Sequence, residues 1–258
     1  MADKNKRATR IEKRKKYGFN PVRLLIFIAL ELSMLLGLLI FISMKYPDNV
    51  ISKTIVEIAS EYIDTQTPLV VLDPGHGGYD VGSEYMGIYE KDVVLSLVLD
   101  IGDSLQKMKI PVVYTRNSDV VTWPEDEVKD LSERANIANE SKAKLFVSIH
   151  TNATEHKTGQ GFEIWANGKD AQAMQLSNFI LNHVNILEYT ENRGIKDVVT
   201  SPIQVIEETK IPSILIEAGF LESENDRSYL LDDVKRKVLA DQIAKGIRDM
   251  LVEMKVYP

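Results

Sequence analysis

The sequence predicts an α/β protein: a single doubly wound domain with about six strands in a mostly parallel sheet and helices on both faces, preceded by one N-terminal transmembrane helix. Three observations predict it. From Pro68 onward, short β-branched runs alternate with longer amphipathic ones, the pattern of a sheet covered by helices. Ahead of them, Leu24 to Met44 is a run of 21 residues, nearly all apolar. The chain has 258 residues and no cysteine, so its core coheres without disulfides, as a chain of this length can.

Residues 1–23 carry nine Lys/Arg against Asp3 and Glu12, a balance of +7, so the total of −7 leaves −14 for the remainder. An acidic body excludes wholesale nucleic-acid binding, which needs a basic face to neutralise phosphates. At about 1.5 Å per residue the run Leu24 to Met44 reaches roughly the 30 Å of a hydrocarbon core. The basic tip precedes it and little positive charge follows, so the N-terminus is expected inside and everything after Lys45 outside. The run is longer than a signal-peptide core and no small-x-small cleavage site follows it, which favours retention as an anchor. Glu31 within it marks a helix partner or a protonated side chain in a tolerant span.

Residues 45–67 read as a juxtamembrane linker, partly helical by apolar spacing, and residues 68–258 as one doubly wound domain. PLVVLDP is the first strand. In the helix after it, Val93, Val94, Leu97, Val98, Ile101, Leu105 and Met108 recur at a period of about 3.6, a stripe that core packing explains. IPVVYTR, KLFVSIH, GFEIWAN, IQVIEET and SILIEAGF supply the other β-type runs, with DLSERANIANES and AQAMQLSNFILNHVNIL as helices between them. Leu239, Ile243, Ile247 and Leu251 mark a closing helix.

In open α/β sheets ligands bind beyond the carboxyl ends of the strands, so polar residues placed there carry the most weight. Four qualify. His76 follows the first strand in LDPGHGG, Glu90 opens the next helix, His150 ends KLFVSIH and Glu217 lies late in SILIEAGF. Without cysteine a transition-metal site must use His, Asp and Glu. Two imidazoles and a carboxylate are a sound set for Zn(II) and leave a fourth tetrahedral position for water. Glu217 is then free for proton transfer, and a carboxylate amid an apolar strand asks for a metal, a water or a donor nearby. Each residue also has a plainer reading: a glycine-rich turn able to cradle phosphate for GHGG, a first-turn acid for Glu90, a core histidine for His150. Their joint placement is what the plainer readings do not predict, and from the residues alone it points to a metallohydrolase.

The strings LDPGHGG, YEKD, TRNSD, LSERANIANESKAKLFVSIHTNA, GFEIW, NRGI and IPSILIEAGFLES, in that order, resemble the zinc-dependent N-acetylmuramoyl-L-alanine amidase family over residues 68–253. The resemblance implies zinc ligands at His76, Glu90 and His150, a catalytic glutamate at Glu217 in EAGFL, and hydrolysis of the amide between N-acetylmuramic acid and L-alanine in peptidoglycan. It implies an autolysin-like bacterial wall enzyme, which the apolar run and basic tip would hold in the cell membrane, single-pass, with the catalytic domain outside. VVTWPEDEVKD is longer and more acidic than the family pattern, and ESENDRSYLLD replaces its commoner serine/threonine-asparagine turn, which bears on substrate preference. TNATEHKTGQGFEIW leaves no room for an inserted autoinhibitory helix, and no wall-binding repeat follows, so the layout is that of small anchored members such as spore-cortex amidases.

Arg116, Arg134, Asn152 and Arg193 fall near the strand ends and are expected in ion pairs and loop hydrogen bonds. His156 and His183 are expected at the surface, and Trp165 in the core in preference to a sugar groove. Two other functions compete. The same metal set could serve a zinc carboxypeptidase acting on the free end of wall peptides, and the same fold could serve a noncatalytic wall-binding regulator, against which the intact His76, Glu90, His150 and Glu217 argue.

Overall fold

The computed structural model describes residues 69–156 and 158–258, together with Leu38, Phe41, Lys45, Lys53 and Thr54. The expected tip (1–23), membrane span (24–44) and linker (45–67) therefore lie outside the described residues, those five positions apart. Among the described residues no helix is long and apolar enough to cross a membrane.

Six strands form the main sheet: β1 (Val70–Pro74), β4 (Val112–Tyr114), β5 (Leu145–Asn152), β6 (Phe162–Ala166), β7 (Asn192–Asp197) and β8 (Ser213–Phe220), in the order β4-β1-β5-β8-β6-β7. β2 (Glu84–Tyr85) and β3 (Ile88–Tyr89) make a separate antiparallel hairpin. The first four neighbours run parallel, as expected of strands joined through helices. β6 pairs antiparallel with β8, and β7 runs parallel to β6, so the sheet reverses direction once. IQVIEET, expected as a strand, instead forms the short helix Gln204–Glu208, and the NRGI segment supplies β7.

The helices are α1 (Glu90–Lys107), α2 (Glu127–Glu140), α3 (Ala171–Asn185), α4 (Gln204–Glu208), α5 (Glu224–Leu231) and α6 (Asp233–Glu253). The strands show why both faces are covered: alternate side chains point to opposite sides. Val70 and Leu72, Leu145, Val147 and Ile149, and Ile214 and Ile216 join one core with α1, α3 and α6. Val71, Phe146 and Leu215 join a second, smaller core with Ala138 of α2 and with Val205 and Ile206 of α4.

The entry to α1 positions the site. Its cap residue Tyr89 makes no side-chain cap; the N–H groups of Glu90 and Lys91 donate instead to the carbonyls of Ser83 (2.9 Å) and Val81 (3.2 Å). Two of the orphan donors of the helix start are thereby satisfied by the glycine-rich loop, which ties that loop to the helix bearing Glu90.

Candidate metal centre

His76 lies just past the carboxyl end of β1, in the left-handed region at φ 58°, a conformation that a non-glycine residue holds only when its surroundings impose it. Two buried arginines impose it. Arg134, 2% exposed, donates from Nη2 to the His76 carbonyl at 2.6 Å and from Nη1 to the Pro74 carbonyl at 2.7 Å. It is neutralised by Asp73 (2.7 Å) and Asp130 (2.5 Å), and Trp123 lies 5.2 Å from its guanidinium. Arg116 donates to the carbonyls of Pro74, Gly75 and Lys91 at 3.1, 2.7 and 2.9 Å. Asp73 accepts further from Thr115 (2.5 Å) and Ser148 (2.6 Å). Burial alone would raise its pKa, but Arg134 and the two hydroxyls hold it below the usual carboxylate value. These contacts bear out the ion-pair and loop roles expected of Arg116 and Arg134.

Glu90, 3% exposed, is the centre of the cluster. Its Oε1 lies 3.2 Å from His76 Nε2 and 3.1 Å from His150 Nδ1, and accepts from the Thr151 N–H at 2.9 Å. Its Oε2 accepts from the Ser83 N–H at 2.9 Å. Burial opposes its ionisation, but His150 and His76 hold its pKa far below the normal range. One ligand atom from each of His76, Glu90 and His150 lies within 4.8 Å of the others. The close approach depends on Gly75: a Cβ there would come 2.2 Å from the His150 ring.

Asp80, which no sequence reading singled out, lies 2.6 Å from His76 Nδ1. An acid at Nδ1 is the outer support that metal-binding imidazoles ordinarily have, and it leaves Nε2, on the Glu90 side, as the nitrogen that would meet a cation. Burial lowers the pKa of His76, but Glu90 and then Asp80 outweigh it and raise it to about 9, the signature of a ring held between two acids where a cation would sit.

Glu217 stands in register with His150 on the neighbouring strand. Among the described residues its buried Oε2 has no hydrogen-bond partner, and burial, reinforced by Glu90 and Glu163, pushes its pKa up to about 8 against the opposing pull of His76. The second overlooked residue is Glu163, paired in register with Glu217 from the other side. It accepts from Asn152 (2.9 Å), Trp165 (3.1 Å) and Arg193 (2.7 Å), which confirms Asn152 and Arg193 in polar pairing and gives Trp165, also packed on the second core, a polar contact as well. His156 is exposed as expected; His183 is half-buried against Asp249 at 2.7 Å, away from the expected open surface.

Hydrolysis assisted by a divalent cation is the chemistry that this donor set and lone acid suit, in a protein whose fold is an α/β sheet with its candidate site beyond the strand ends. Residues 70–249 match the family model of N-acetylmuramoyl-L-alanine amidase, and the chain belongs to that family of hydrolases, which cleave the muramoyl amide of peptidoglycan. It is 31% identical over 186 residues to the germination-specific N-acetylmuramoyl-L-alanine amidase of Bacillus subtilis, covering 69% of this chain and 78% of that one. It is 35% identical over 187 residues to an endolysin of Bacillus phage SPP1, covering 71% and 66%. Among solved structures, the CwlD amidase of Clostridioides difficile in complex with the GerS lipoprotein is similar with a TM-score of 0.65 at 29% identity, over 71% of this chain and 98% of that one. An N-acetylmuramoyl-L-alanine amidase from Clostridium difficile 630 gives 0.62 at 30% identity, over 74% and 99%.

Proposed function

We propose that His76, Glu90 and His150 hold a zinc ion, that Glu217 carries the proton in hydrolysis of the bond between N-acetylmuramic acid and L-alanine, and that residues 68–258 act outside the cell from an anchor at residues 24–44. The observation that carries the reading is the meeting of three ligand atoms within 4.8 Å next to a carboxylate with one buried, unpartnered oxygen. The residues fit the ion: nitrogen and oxygen donors, with no thiolate available, suit zinc with an open position.

When bound, zinc supplies Lewis acidity toward the scissile carbonyl and the attacking water, and its charge favours ionised Glu217. Glu217 accepts the proton of the water and returns it to the departing L-alanine nitrogen. Asp80 keeps His76 in the tautomer that presents Nε2, while Arg134 and Arg116 hold the loop that carries it. Incubation of purified muropeptides with the protein, with and without a chelator, tests the reading by mass spectrometry. The expected products are an intact stem with a new L-alanine amine, lost on chelation and restored by zinc. Release of a single terminal amino acid would instead identify a carboxypeptidase.

A further inference from the structure

The proposed chemistry does not use Arg193, although the protein builds a cradle around it. Its Nε donates to buried Glu163 at 2.7 Å, its Nη1 reaches the Gln160 carbonyl at 3.4 Å, and its guanidinium lies 5.3 Å from the centre of the Phe220 ring. Its aliphatic stem lies against Gly161, where φ is +119° and a Cβ would come 2.5 Å from Arg193 Cδ. The cradle is itself tied together: fully buried Asp226 accepts from the N–H groups of Gly161 and Phe220, both at 3.0 Å. A counter-ion for Glu163 would need the first of these contacts alone. Yet 35% of the side chain stays open to solvent, and Nη2 has no hydrogen-bond partner among the described residues. A guanidinium fixed in orientation with an open edge is arranged to receive a planar anion through two parallel hydrogen bonds.

The substrate dictates where such an anion can be. The lactyl carboxyl of the muramoyl group is consumed in the scissile amide, so the carboxylates near that bond belong to the peptide. Arg193 enters β7 next to β6, and Glu163 on β6 faces Glu217 in register. We propose that Arg193 is a specificity-determining residue that binds a carboxylate of the stem peptide, so the stem leaves the scissile bond toward β6 and β7. The proposal rests on the assignment of Glu217 and the metal ligands, because they fix where the bond lies.

Steady-state hydrolysis of two synthetic muramoyl peptides, one with free peptide carboxylates and one with them amidated, tests it on the zinc-loaded protein. Arg193→Gln is expected to reduce the preference for the free acid, measured as the ratio of kcat/KM values, by about tenfold and mainly through KM. Arg193→Lys, which keeps a charge without the fork, is expected to fall between. Arg248→Ala, in α6 where the guanidinium pairs with Asp249 and not with Glu163, is expected to leave the ratio as it was. Equal slowing of both substrates by Arg193→Gln and Arg193→Lys, with the ratio preserved, would overturn the proposal and leave Arg193 a structural counter-ion. If neither substrate were cleaved by the unsubstituted protein, the metal and Glu217 assignment would fail instead.

Discussion

Glu217 shows how one residue can be both an electrostatic cost to the fold and the centre of its chemistry. Its buried, unpartnered oxygen has no role in cohesion, so Glu217→Gln is expected to bind zinc as before and lose turnover by about a hundredfold to ten-thousandfold, the usual share of general acid–base catalysis. Metal content by elemental analysis beside the muropeptide assay checks both halves. The metal-free protein has a further property. In the folded state Glu217 is raised from 4.5 to about 8 and His76 from 6.5 to about 9. Each therefore holds its proton in the folded state at pH values where the unfolded chain has released it. Stability from such groups is present below their unfolded pKa and lost as pH rises through the folded one. Thermal melts of chelated protein should fall in midpoint between about pH 5 and 9, with Glu217→Gln flattening the part below about 8. A rising midpoint across that window would contradict the arrangement. Four of the site's residues are legible in the sequence because each is a polar side chain at a strand or helix end. Asp80 is not, since an acid four residues past a histidine in a glycine loop has many uses. Glu163 carries the signal that marks Glu217, a carboxylate within an apolar strand, and its importance appears only when register sets the two side by side.

At the scale of elements, periodicity reveals what each segment buries but not which way it runs. The apolar stripes of α1 and α6 predict the centres of their buried faces, Val93 to Leu105 and Leu239 to Leu251, while Met108 falls at the cap beyond α1 and small residues such as Gly102, Ala240, Ala244 and Gly246 complete the faces without marking the stripe. The reversal at β6 is hidden, because a strand buried on both sides reads the same in either direction. IQVIEET illustrates the other ambiguity: a short apolar run is equally compatible with a strand and a helical turn, and Val205 and Ile206 reach the second core from a helix. Close packing between α3 and α6 was equally invisible and makes a sharp prediction. Gly246 in α6 faces the backbone of Ile180 in α3, where a Cβ would come 2.6 Å from the Ile180 Cα. Alanine in a helix ordinarily stabilises it relative to glycine by up to about 1 kcal/mol. Here the contact is with backbone that cannot rotate away, so Gly246→Ala should destabilise the domain by about 1–3 kcal/mol. Urea unfolding followed by circular dichroism reads the sign directly, and a gain in stability would mean that the two helices can part without loss.

For the molecule as a whole, charge and hydropathy differ sharply between the N-terminal segment and the rest of the chain. All strands and helices named above fall in the compact unit from Asp64 to Pro258. Ahead of it, residues 1–23 balance at +7 and Leu24 to Met44 offers 21 nearly apolar residues, enough for about 30 Å of hydrocarbon. An acidic body has no attraction to an anionic membrane surface, so the apolar run is what would hold the enzyme near the wall, and the basic tip is what would orient it. The full chain should therefore remain with membranes through an alkaline carbonate wash. Protease added outside intact spheroplasts should digest the domain while an N-terminal tag stays protected, whereas a chain beginning at Pro68 should fractionate as soluble and still cleave muropeptides. Extraction of the full chain by carbonate, or loss of the tag to external protease, would reject the anchored topology while leaving the metal centre and its reaction intact, because the two rest on separate parts of the sequence.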